Sequence, residues 1–158
     1  MQFELVSVME SKPTRAGLMV RHEGKVFVSV YAASGWTQYA PGAIGFDPDG
    51  GEGKQVVIAA PATLAGAVNL IGVPQDTIAS AGYGWAQIYG NAEALVETGA
   101  SAGDYLEVLN TEGFFTETST TLRVSTCAGL IDSTTASTAT AAATVMLFGR
   151  NVEVAATT

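Results

Sequence analysis

Glycine is the feature that most limits what this chain can become. Eighteen glycines are spread along 158 residues, and apolar, β-branched runs lie between them. A residue that destabilises helix interiors, recurring at such short intervals, leaves little room for a long helix. The pattern instead reads as short strands joined by tight turns, a mainly β fold. Residues 24–31, 55–59, 68–73, 85–89, 105–109, 122–124 and 145–148 are the expected strands. In the first of these Phe27, Ser29 and Tyr31 share one face and Val26, Val28 and Val30 the other. Both faces carry bulk, so this strand is expected to be covered on both sides. The expected core comprises Trp85, Ile88, Leu106, Val108, Leu122, Val124 and Leu147. Two stretches read as loops: 46–53, which follows a loose stretch over 32–45 carrying Trp36 and Tyr39, and 132–144, made almost wholly of Ser, Thr and Ala. The latter also fits a thin strand or short helix.

The length suits one domain, residues 1–158, with 1–25 as an N-terminal arm or an edge strand. Residues 1–10 lack a basic region followed by an apolar run, so no secretory signal is expected. No uninterrupted apolar run is long enough for a membrane helix, and no membrane partner is expected. Charge is low and lopsided. Residues 1–25 hold Lys12, Arg15, Arg21 and Lys25 against three acids, whereas the remainder holds three bases against twelve acids. An acidic body repels phosphate backbones, so direct nucleic-acid binding is not expected.

Chemistry-bearing residues are sparse. His22 is the only histidine and lies between Arg21 and Glu23, which reads as a surface position. Cys127 is the only cysteine, so an intrachain disulfide is impossible, and it reads as a buried structural thiol. One Cys and one His cannot assemble the usual zinc ligand set. Asp47, Asp49 and Glu52 alternate on a turn, but the acid after Gly50 comes too early for a calcium loop. Gly82-Tyr83-Gly84 precedes a strand, so no helix N-terminus follows to hold a phosphate. Glu93 and Glu97 form an acid pair with nothing to place them around a cleft. The expectation is a non-enzymatic protein without cofactor or metal. Trp36, Tyr39, Trp85 and Tyr89 leave a second reading open, a carbohydrate-binding β-domain with an aromatic platform.

One ordered series of motifs runs through the second half. It begins Ile71-Gly72-Val73 and continues Gly82-Tyr83-Gly84-Trp85-Ala86-Gln87-Ile88-Tyr89-Gly90, with Gly90 expected to end the strand. Ala102-Gly103-Asp104-Tyr105-Leu106, Ala128-Gly129-Leu130 and an apolar strand over 145–148 follow. This series, about half the chain, resembles the capsid decoration, or head cement, proteins of tailed bacteriophages. The resemblance implies a small β-barrel or β-sandwich-like domain with an extended N-terminal arm. It implies a structural virion protein, made in the host cytoplasm, that binds the capsid exterior and stabilises the shell. The implied partners are the major capsid protein and copies of itself, as a trimer. A head fibre base or tail protein is the alternative within the virion. Under this reading Phe3, Leu5, Val6, Lys12 and Arg15 are the candidate capsid-contacting residues. Residues 3–9 are apolar enough to add to a sheet edge, and the two bases would fix register against acidic groups. The competing reading makes residues 3–9 the first strand of the domain's own sheet.

Overall fold

The computed structural model describes residues 12–46, 55–58, 70–108, 113–117, 126–132 and 141–149. Every regular element among them is a strand: β1 Met19–His22, β2 Lys25–Ala32, β3 Gly42–Phe46, β4 Gln55–Ile58, β5 Leu70–Pro74, β6 Gly82–Val96, β7 Tyr105–Val108, β8 Phe115–Glu117, β9 Thr126–Leu130 and β10 Ala141–Phe148. The mainly β expectation is therefore met. The sheet order is β1-β2-β4-β3-β5-β6-β10-β9-β7-β8, with extra pairings of β2 to β6 and β6 to β8. Those pairings close the sheet twice. One five-stranded ring is β2-β4-β3-β5-β6, and the other is β6-β10-β9-β7-β8.

The two rings share β6, which explains its 15 residues. Its first half, Gly82 to Tyr89, pairs antiparallel with β2, and its second half, Tyr89 to Val96, pairs antiparallel with β10. The join is an irregularity. The β2–β6 register slips between Val26 and Phe27, and Gly90 takes a φ of 88°. The Gln87 side chain is wholly buried there. Its amide donates to the carbonyl oxygens of Tyr89 (3.1 Å) and Asn91 (2.8 Å), on either side of Gly90. Gly90 thus bends β6 and does not end it, as its glycine had suggested.

Each ring encloses an apolar cluster. In the first, Val28, Val30, Ile44, Ala86 and Ile88 pack around Trp36 and Ile78. The second gathers Ala92, Ala94 and Val96 of β6 with Leu106, Val108, Phe115, Leu130, Val145 and Leu147. Ala43, Ile71 and Val73 point away from the first cluster and join the second, so β3 and β5 are covered on both faces. Phe27, Val28, Ser29 and Val30 are consecutive buried residues, and β2 is accordingly covered on both faces too. Ile88, Leu106, Val108 and Leu147 belong to the core as expected. Trp85 does not; it is only half-buried. Leu122 and Val124 lie outside the described residues.

The strands depart from the sequence reading in several places. β1, β3, β8 and β9 were not expected, β6 runs well beyond residues 85–89, and β10 begins at Ala141, inside the Ser/Thr/Ala stretch. β1 joins β2 through Glu23 and Gly24, with φ of 48° and 76°, the paired left-handed geometry of a two-residue hairpin turn.

Candidate functional site

β2 and β6 present an outward face set by their register. Tyr31 lies opposite Tyr83, Ser29 opposite Trp85, and Phe27 opposite Gln87. The rings of Tyr31 and Tyr83 are 5.2 Å apart and tilted, an arrangement aromatic pairs favour. The chain before β1 reaches this face. The Gly17 N–H donates to the Ser29 carbonyl, and the Leu18 N–H donates to Ser29 Oγ at 2.8 Å. Pro13 and Ala16 are buried. The described part of residues 1–25 therefore packs on its own domain and supplies an edge strand. The outer edge of β1 has no strand partner among the described residues.

A pocket of about 360 Å3 opens on this face. Phe27, Tyr83 and Trp85 line it together with Lys12 and Pro13, and residues 75–79 form another part of its wall. That wall is held by backbone bonds: Trp36 and Ile78 exchange N–H···O contacts of 2.8 and 2.9 Å, and the Gly82 N–H donates to the Ala79 carbonyl. It also depends on two absent side chains. A Cβ on Gly82 would lie 2.8 Å from the Ala79 oxygen, and one on Gly84 would overlap Ile78, with Cδ1 at 2.6 Å. Neither glycine has positive φ, so close approach rather than backbone freedom is what these positions require. Gly84→Ala is expected to cost about 1–3 kcal/mol in chemical denaturation. Shortening Ile78 should recover part of that loss in the double variant. Strictly additive losses would show that the two sites do not touch.

The four aromatics considered for a platform do not converge. Trp36 is buried at 3% exposure, with its indole N–H on the Ala40 carbonyl. Trp85 lines the pocket, whereas Tyr89 is exposed near the bend of β6. Phe27 and Tyr83 are the aromatics that sequence reasoning missed. Only the β2–β6 register brings them beside Trp85.

Lys12 and Arg15 are exposed, and Lys12 sits at the pocket. Phe3, Leu5 and Val6 lie outside the described residues, as do Asp47, Asp49 and Glu52. Cys127 falls in β9, but its side chain is outside the description. His22 is partly exposed, 3.8 Å from Glu23. Glu93 accepts from the Thr144 hydroxyl, and Glu97 accepts from the Glu117 N–H. Among the described residues, no three His, Cys, Asp or Glu side chains are grouped to hold a metal. Among the described residues, charge is unevenly divided between the rings. The described residues of the first ring and its hairpin carry Lys12, Arg15, Arg21 and Lys25 against Glu23 and Asp76. Those of the second carry Glu93, Glu97, Asp104, Glu107, Glu117 and Asp132, with no lysine or arginine.

No family model matches the chain, and no curated protein matches it in sequence. Among solved structures, the chain is similar to the N base of the head fiber gp8.5 of bacteriophage phi29. The TM-score is 0.55 and the identity 12%, over 87% of this chain and 100% of that one. At this identity the likeness is one of fold.

Proposed function

We propose that this chain is a structural protein of a tailed-phage virion, seated on the outside of the head in the manner of a head fibre base or decoration protein. The observation that carries the reading is the fold likeness, which spans the whole of a head fiber base. The motif series over residues 71–148 supports it independently. The role is non-enzymatic. Attachment is to the major capsid protein and runs through the first ring and its N-terminal hairpin, where the described bases gather and β1 leaves an edge open. Open edges and complementary charge give main-chain pairing and orientation without a deep pocket. The protein acts as a homo-oligomer, a trimer, and the exposed Tyr89, Tyr105 and Ile131 offer apolar surface for contact between copies.

The test is addition of purified protein to heads that lack it. Wild-type protein should bind in a fixed ratio, and the affinity should fall as salt rises. The pair Arg15→Glu and Arg21→Glu, both at exposed positions, should keep the fold and lose most of the binding. Binding unaffected by salt and by both substitutions would place attachment elsewhere. Failure of the wild-type protein to bind heads at all would reject the virion role on the capsid.

A further inference from the structure

We propose that the pocket on the outer face of β2 and β6 binds a neutral saccharide of one or two rings. This does not rest on the capsid reading, because a glycan site is compatible with any location of the protein. The pocket's volume, about 360 Å3, lies near the small end of the roughly 300–1,000 Å3 usual for ligand sites.

The composition of the lining selects the ligand. Phe27, Tyr83 and Trp85 provide aromatic surface, two of them only partly buried by the protein itself. Flat, weakly polar faces of this kind suit a ligand with an apolar face of its own. The remaining lining mixes apolar residues, Pro13, Ile78 and Ala79, with four polar ones, Lys12, Asp76, Thr77 and Gln75. The Gln75 amide donates to the Glu93 carbonyl and the Thr77 hydroxyl accepts from the Gln38 N–H, so Lys12 and Asp76 are the groups left to select a ligand. Among the described residues, Lys12 and Asp76 form no ion pair with each other or with another charge. Lys12 works against a cationic guest, and Asp76 works against an anionic one. A pyranose ring suits both the aromatic and the charged parts of the lining, since its C–H face stacks on the aromatics while its hydroxyls donate to Asp76 and accept from Lys12.

The two tryptophans allow a direct test. Trp36 is buried and its N–H is committed to Ala40, whereas Trp85 faces the pocket. Full-length 15N-labelled protein is titrated separately with maltose, cellobiose and the N-acetylglucosamine disaccharide, and the two indole N–H signals are followed. At least one sugar should shift one indole signal saturably and leave the other in place. Asp76→Ala, at an exposed position, should keep the fold and weaken that sugar about tenfold or more. Trp85→Ala should abolish binding, followed by calorimetry. The inference is overturned by no saturable shift at sugar concentrations well above about 1 mM. It is equally overturned by sugar binding undiminished in both variants. A shift produced by tetramethylammonium or phosphate in place of the sugars would reassign the pocket to ions and reject it too.

Discussion

Phe115→Ala will remove about 3–5 kcal/mol of stability. Phe115 is wholly buried in the apolar cluster of the second ring, and its strand, β8, is three residues long. That short strand has two tasks. It pairs antiparallel with β7 through Val108 to Phe115, and it closes the ring by lying parallel to β6 with Phe115 opposite Val96. The Glu97 N–H donates to the Phe115 carbonyl at 2.9 Å, and the Glu97 carboxylate accepts from the Glu117 N–H, so the closure rests on this short strand. Removing the ring of Phe115 leaves a void under the seam and loosens the segment that makes it. Against a typical total of about 5–15 kcal/mol, the loss is a large fraction. Urea denaturation of Phe115→Ala and Phe115→Leu measures it, the leucine variant retaining most of the volume and most of the stability. A loss under about 1 kcal/mol for the alanine variant would remove Phe115 from the core.

Gly90→Ala will be nearly as costly, through two separate effects. A φ of 88° is strained for any L side chain, at about 1–2 kcal/mol. The added Cβ would also sit 2.9 Å from the Gly24 carbonyl oxygen and 3.2 Å from Lys25 Cα, backbone atoms that cannot swing away. Overpacking against fixed atoms adds about 1–3 kcal/mol. Gly103 isolates the first effect: its φ is 94°, and a Cβ there would meet nothing within 4 Å. Gly103→Ala is expected to lower the melting temperature modestly and Gly90→Ala by at least twice as much. Equal shifts would mean that the contact with the β1–β2 hairpin turn contributes nothing.

Gly90 also shows where sequence reasoning stopped. Glycine after an apolar run is ordinarily a strand terminus, and nothing local separates that from a bulge. The distinguishing signal was Gln87, a polar residue in the middle of a strand whose amide is needed by the carbonyls of Tyr89 and Asn91. Strands with full side chains, such as β2 and β7, were readable from their apolar and β-branched runs, although burial alternates along neither: Phe27 to Val30 and Leu106 to Val108 are each consecutively buried. β3, Gly42–Phe46, was hidden because the close packing that makes it a strand demands small residues. A Cβ on Gly42 would press on the Trp36 indole at 2.9 Å. Ala141 to Thr144 was hidden for a related reason, since Ala143 packs inside the second ring without the bulk that marks a strand.

The pocket was less legible than the fold. Trp85 reads as core because it is large and apolar, yet parity places it opposite Ala86 and Ile88, the residues that face inward. Its neighbour Phe27 comes from β2, 58 positions away in the chain, and Tyr83, two positions away on the same face of β6, joins the group only once that face is known. Asp76 and Thr77 belong to a wall positioned by the Trp36–Ile78 bridge, a pairing between loops that carries no sequence signature.

The strand common to both rings makes the molecule indivisible. A cleavage or fusion point near Gly90 would leave each fragment with a run of unpaired N–H and C=O groups, the open edge that invites intermolecular association. Neither half is a module that recombination could exchange by itself. The same continuity governs how the protein would bear tension: a pull on one ring travels to the other along covalent backbone, not only across packed side chains. An attachment made through the hairpin end is thereby tied to whatever the far ring carries.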